Sequence, residues 1–212
     1  MFPNHAAFAL FLSASLVLLA IPGPAVCYVV GRSVGLGRGA GVVSALGIFV
    51  GTCIHAAAAA LGLSALLVSS ALAFGLVKYL GAAYLVYLGV ERLRRGGALN
   101  VSTSAPRAAL SRVFGQGIIV NVLNPKTALF FFAFLPQFTV PARGSVALQI
   151  LSLGLLFACM GVVSDSLWGF FAGSVANRLR TDLRWSRSER YLSGGILISL
   201  GLAAAAGHSP QK

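Results

Sequence analysis

The chain has 212 residues, of which 58% are hydrophobic and only 9% are charged. A soluble domain carries about 25% charged residues, so this chain cannot coat a water-soluble globule, and its long apolar runs require lipid as solvent. The net charge of +12 would suit nucleic acid, but the basic residues fall in alternate gaps between apolar runs, as membrane topology requires, and this placement argues against a nucleic-acid partner.

Six apolar segments follow one another at about Ala6–Val30, Ala40–Gly62, Ala71–Val90, Val113–Leu135, Val146–Ala172 and Tyr191–Ala206. Most are near the ~20 residues that a helix needs to cross a bilayer. The expectation is an all-α membrane protein with six transmembrane helices in one domain, residues 1–212. No Lys or Arg lies between Met1 and Ala20, so the charged n-region of a cleavable signal peptide is missing and this stretch reads as the first membrane helix. It is interrupted by Ile21-Pro22-Gly23-Pro24-Ala25. Proline has no backbone N–H and its ring clashes with the preceding turn, so Pro22 and Pro24 break the helix. Gly23 and Pro24 then suit the N-cap and first position of a new segment. The Gly35, Gly37, Gly39, Gly41 series follows a helix and lacks the P-loop spacing; it reads as a flexible cytoplasmic turn.

In the second segment Gly47-x-x-x-Gly51 suits close helix approach, and His55 either passes protons or hydrogen-bonds a neighbouring helix. Leu61 to Leu76 carries no charge, so the turn between segments two and three is short and poorly marked. Lys78 is expected to snorkel to the interface. Residues 96–111, rich in Gly, Ser, Thr, Pro and Arg, form the one real linker. In the fourth segment Asn124 is a good N-cap and Pro125 suits the first position of a second broken segment. Lys126 follows directly, and Asn121 one turn earlier lines the same cavity. Asp165, flanked by Ser164 and Ser166, is the only acid within a span. Such residues are costly in lipid and usually functional: it holds an ammonium group or takes up a proton. A Lys126–Asp165 ion pair that merely locks helices is the competing reading. Cys27, Cys53 and Cys159 lie inside apolar runs without a C-x-x-C pair, and read as buried small residues.

Twelve arginines lie in loops one, three and five, against Arg143 and Lys212 on the other side. Positive charge stays in the cytoplasm, which places both termini outside. The linker divides a first repeat, about residues 6–95, from a second, about 112–206. Lys78–Gly89 matches Arg190–Gly201, the broken Pro22-Gly23-Pro24 matches Asn124-Pro125-Lys126, and Gly51-x-x-x-His55 stands opposite Gly161-x-x-x-Asp165. Each half has an odd number of spans, so the second is inserted upside down. Inverted repeats with broken spans at corresponding positions mark secondary transporters. Each break leaves free N–H groups and partial positive charge inside the membrane, which must face a polar cavity or a ligand such as a carboxylate.

These residues resemble the lysine-exporter (LysE-type) translocator family, which includes the homoserine/threonine exporters. The motifs concerned are Pro22-Gly23-Pro24, the Gly-rich Gly35–Gly51 region, Lys78–Gly89, and Asn121 through Lys126 followed by Leu135-Pro136-Gln137-Phe138. They occur in the family's order and spacing over nearly the whole chain. The resemblance implies a bacterial inner-membrane protein that exports amino acids or their analogues in exchange for protons. It carries Pro22, Gly23, Pro24, Asn124, Pro125 and Lys126 over as central residues. Ala25 stands where many members have a polar residue, which puts fine substrate specificity in doubt.

The expected function is therefore proton-coupled amino acid export. The substrate-binding set is Pro22, Gly23, Pro24, Asn121, Asn124, Pro125, Lys126 and Asp165, with proton coupling assigned to Asp165 and His55. The carboxylate would sit at the half-helix ends near Lys126 and the ammonium at Asp165. No second acid is available for a dibasic side chain, so the substrate is expected to be small and neutral. The partners are an amino acid, membrane lipid and protons, with no metal and no cofactor. An intramembrane serine protease would need a nucleophile beside a base, yet His55 is the only membrane histidine and no G-x-S-x-G accompanies it. A non-transporting assembly protein would use the same residues for stability alone.

Overall fold

The computed structural model describes residues 5–69 and 110–172, together with single helical positions between 76 and 94 and between 191 and 205. Among the described residues every regular element is helical. The order is α1 (His5–Ala20), α2 (Pro24–Leu36), α3 (Arg38–Ser69), α4 (Leu110–Val122), α5 (Pro125–Leu129), a π-helical turn (Phe130–Phe134), two 3₁₀ turns (Leu135–Phe138 and Pro141–Arg143) and α6 (Val146–Phe170). Within α3 the stretch Arg38–Gly62 is long and apolar enough to cross a membrane, as is α6. The pair α1 and α2, and α4 with the helical stretch Pro125–Phe138, each qualify only together and are each bent by 49°. The described residues thus hold two candidate spans, or four if each bent pair is one span.

Both breaks fall where the prolines require them. Two boundaries differ from the sequence expectation. The second segment continues as helix to Ser69, past Gly62, because nothing in Leu61–Ser69 removes a backbone N–H. Of the Gly35–Gly41 series only Gly37 lies between helices, with Gly35 in α2 and Gly39 and Gly41 in α3: Gly37 has φ +93° and its amide donates to the Ser33 carbonyl at 2.9 Å. A β-carbon at Gly41 would come within 2.8 Å of Ser33 Cβ. Most of the third and sixth segments, Lys78, most of the Lys78–Gly89 and Arg190–Gly201 match, and residues 96–109 of the linker lie outside the described residues.

Small residues set the helix crossings, as Gly47-x-x-x-Gly51 suggested. A β-carbon at Gly47 would strike the Phe114 carbonyl of α4, and one at Gly51 would lie 2.8 Å from Asn121 Cβ. Where α3 meets α6, a β-carbon at Gly154 would lie 2.7 Å from that of Ala56. Lipid tails are as apolar as leucine, so such close backbone approach is what holds membrane helices together.

Above these crossings an aromatic cluster joins α1, the π turn and α6. Phe130 stacks on Phe157 at 4.3 Å, Phe134 meets Phe138 at 5.0 Å and Phe11 meets Phe138 at 5.5 Å. The π turn has a local cause. Pro136 offers no amide to the Phe132 carbonyl four residues earlier, and the Leu135 amide donates five residues back to Phe130, widening the helix there. Leu10, Leu16, Leu61, Leu123 and Val163 point outward, as lipid-facing side chains must. Cys27 and Cys53 are half-buried, but Cys159, expected to be buried, is exposed on α6; none of the three forms a disulfide among the described residues.

Candidate functional site

At the first break Gly23 is the N-cap of α2, with extended backbone at φ −129° and no side-chain cap, and Pro24 opens the helix. At the second, Asn124 is the N-cap of α5 and its side chain accepts from the Lys126 amide at 3.1 Å. Pro24 and Pro125 are exposed, Pro22 and Asn124 are buried, and Gly23 and Lys126 lie between.

The two breaks touch. Lys126 reaches across to α1, where its Nζ donates to the carbonyls of Leu18 and Ile21, both at 2.7 Å. A β-carbon at Gly23 would lie 3.4 Å from Lys126 Cδ. The ammonium therefore caps the C-terminal end of α1, where the helix dipole leaves partial negative charge. A cavity of about 40 Å³ opens at this junction, lined by Gly23, Asn121, Asn124, Lys126 and Asp165 among others. Asp165 is 5% exposed and close enough to Lys126 to interact electrostatically. Five of the sequence-derived candidates thus line one space. Pro22, Pro24 and Pro125 shape its edges without lining it.

Asn121 lines the cavity, but its amide is committed to the protein. Its Nδ2 donates to the Ile48 carbonyl at 2.9 Å and to Thr52 Oγ1 at 2.8 Å. Its Oδ1 accepts from Thr127 Oγ1 at 3.1 Å and Asn124 Nδ2 at 3.4 Å. Asn121 therefore pins the second break to α3. His55 is not among the residues lining the cavity. It is buried, its ring stacks on Phe131, and its Nε2 lies 3.0 Å from the Asn121 carbonyl.

The breaks are supported in parallel ways. Gly51 of α3 abuts Asn121, and His55 one turn later bonds the Asn121 carbonyl. Gly161 of α6 faces Leu19, whose Cδ2 would lie 3.5 Å from a β-carbon there, and Ser164 almost one turn later donates to the Leu19 carbonyl at 3.4 Å.

Other contacts tie the helices together on either side of the cavity. Toward the α2–α3 turn, Tyr28 donates to the Val113 carbonyl at 2.7 Å, Arg32 to Gln116 Oε1 at 2.8 Å, and Ser33 to the Gly169 carbonyl at 2.6 Å. Toward the other end stands the aromatic cluster. Sequence reasoning missed Thr52, Thr127 and Phe157 as lining residues. Thr127 had a signal, lying three residues after Asn124 on the same helical face. Phe157 had only its eight-residue spacing from Asp165.

The family model for LysE-type translocators matches residues 16–207. The chain belongs to the LysE-type translocator family. This LysE-type protein is 30% identical to a homoserine/homoserine lactone efflux protein of Salmonella typhimurium, over 95% of this chain and 97% of that one. It is 33% identical to a leucine efflux protein of Salmonella choleraesuis, over 92% and 91%. It is 27% identical to an uncharacterized membrane protein of Vibrio cholerae, over 92% and 94%. No solved structure matches it. Family and relatives point to a transporter of amino acids rather than an enzyme, in a multi-pass membrane protein.

Proposed function

We propose that this LysE-type protein is a secondary exporter of small neutral amino acids across the bacterial inner membrane, driven by protons. The observation that carries this reading is the meeting of both helix breaks with Lys126 and Asp165 around one cavity. The N-terminal ends of α2 and of the helical stretch starting at Pro125 offer backbone N–H groups and partial positive charge to a carboxylate. Asp165 offers a counter-charge to the ammonium. Among the described residues it is the one acid lining the cavity, so a dibasic side chain has no acidic partner among them. The names of the homoserine and leucine efflux relatives agree with a neutral substrate.

A water needs roughly 10–15 Å³ of such space, so about 40 Å³ holds a few waters and no amino acid. In this shape the cavity is too small for the substrate, and Lys126 bonds the carbonyls at the end of α1. Binding must part the helices, whereupon the ammonium can exchange a backbone carbonyl for the substrate carboxylate. Protonation of Asp165 from outside then releases the substrate. We assign the proton to Asp165 ahead of His55, because His55 holds the Asn121 carbonyl away from the cavity.

Six spans in two oppositely inserted halves, with both termini outside, form the frame of this reading. The parallel support of the breaks favours it: Gly51 and His55 act on the second break as Gly161 and Ser164 act on the first. An efflux panel in dipeptide-loaded cells, with and without a proton gradient, tests the whole. Export of threonine or leucine that collapses with the gradient is expected. Asp165→Asn should abolish this coupling, and His55→Ala should retain export. Strong lysine export without threonine or leucine export sinks the neutral-substrate reading. Folded Lys126→Ala and Asp165→Asn variants with no change in any flux would instead favour an assembly protein.

A further inference from the structure

The exporter reading gives the ammonium and the carboxylate of a substrate their places but leaves its side chain without one. The spacing along α6 supplies it. Phe157, Gly161 and Asp165 stand four residues apart, so they share one helix face, with about 6 Å of rise between neighbours. All three line the cavity. The carboxylate marks one end of this row and the Phe157 ring the other. Gly161 between them contributes no side chain, leaving a notch floored by backbone. Across it, a β-carbon at Gly161 would lie 3.5 Å from Leu19 Cδ2, so in this shape the notch is one methyl deep.

The far end of the row is firm. Phe157 is 4% exposed, its ring is stacked on Phe130 at 4.3 Å, and Phe131 meets it edge-on at 5.7 Å. Phe49, the other aromatic residue lining the cavity, is only half-buried. A side chain that grew along α6 from Asp165 would therefore run over Gly161 and stop on a backed aromatic wall.

Resting on the exporter reading, we infer that Gly161 and Phe157 select the substrate side chain, Gly161 by its girth and Phe157 by its length. The two positions act in opposite directions. Phe157→Ala removes the end wall and admits longer side chains. Gly161→Ala fills the notch and favours shorter ones. The added methyl meets Leu19 at ordinary contact distance, so this variant folds.

The test uses the full-length wild type and both variants in proteoliposomes, with counterflow of labelled alanine, leucine and phenylalanine. Thermal stabilisation of each purified protein by the same three amino acids gives a second readout. Phe157→Ala is expected to raise the phenylalanine-to-leucine ratio by about tenfold or more, and Gly161→Ala to lower the leucine-to-alanine ratio similarly, the scale on which apolar pockets discriminate. Phe134→Leu, in the same aromatic cluster but not lining the cavity, should lower stability and keep the wild-type ranking. Wild-type ranking in both variants, or shifts in the same direction, overturns the inference. A wild type that moves none of the three, nor threonine, sinks the exporter reading alone. The stabilisation ranking then decides the notch, and an unchanged or absent ranking there overturns it.

Discussion

The two helix breaks bend by the same 49° but are held by different means. The second supplies its own N-cap, although it too borrows one bond, from His55 of α3 to the Asn121 carbonyl. Asn124 caps its own helix through the Lys126 amide, and Asn121 one turn back ties the break to α3 by donating from Nδ2 to the Ile48 carbonyl and Thr52 Oγ1. The first has a glycine N-cap with no side chain to offer. The carbonyls at the end of α1 are served from elsewhere, by Lys126 of α5 and Ser164 of α6. A helix end held by its own residues is fixed with its helix, whereas bonds borrowed from another helix can be exchanged without unfolding either one. The second break is therefore the more firmly fixed of the two and the first the more easily rearranged.

Substitutions at Lys126 should have the largest effect on this contrast. Lys126→Met keeps the apolar stem and removes the ammonium. The Ile21 carbonyl loses its Nζ donor, and the Leu18 carbonyl keeps the Ile21 amide at 3.3 Å. A buried polar group left bare costs about 1–3 kcal/mol. Unfolding in detergent should register that loss, and efflux should fall to background. A variant exporting at the wild-type rate would break the link between the two breaks. Asn124→Ala comes next: loss of an N-cap side chain costs about 1 kcal/mol, and the protein should lose that much stability while transport survives in part. Gly23→Ala should do least. Its backbone lies in a region open to any residue, and the new β-carbon would stand 3.4 Å from the flexible Lys126 stem, so only the poorer N-cap preference of Ala remains, about half a kcal/mol. If Gly23→Ala destabilises as much as Asn124→Ala, the first break is not the borrowed one.

Much of this was legible before any coordinates. Pro22, Pro24 and Pro125 interrupt their helices wherever the chain goes, since a missing N–H is a covalent fact. Asn124 caps because its side chain is short enough to reach two residues ahead along its own chain. Gly47 and Gly51 could be read as a close crossing, although not against which helix. The π turn had a signal in Pro136 that pattern reading passed over. The exposure of Cys159 had none, because an apolar run in lipid does not reveal which of its faces looks outward.

Lys126 marks the limit of the sequence most clearly. Its place beside the second break suggested a carboxylate partner, from Asp165 or from substrate, and Asp165 does lie within electrostatic reach, but nothing in the sequence pointed to backbone partners. The structure gives its ammonium two carbonyls that lie 105 and 108 residues earlier in the chain. His55 likewise found its partner 66 residues away.

Composition, proline placement and N-cap chemistry determined by themselves that this chain lives in lipid and where its helices break, because these depend on each residue and its immediate neighbours. Which polar group satisfies which broken end was decided only by the tertiary structure. In a solvent that offers no hydrogen bonds every severed N–H and carbonyl must find a partner, and the partner in reach is set by how the helices cross.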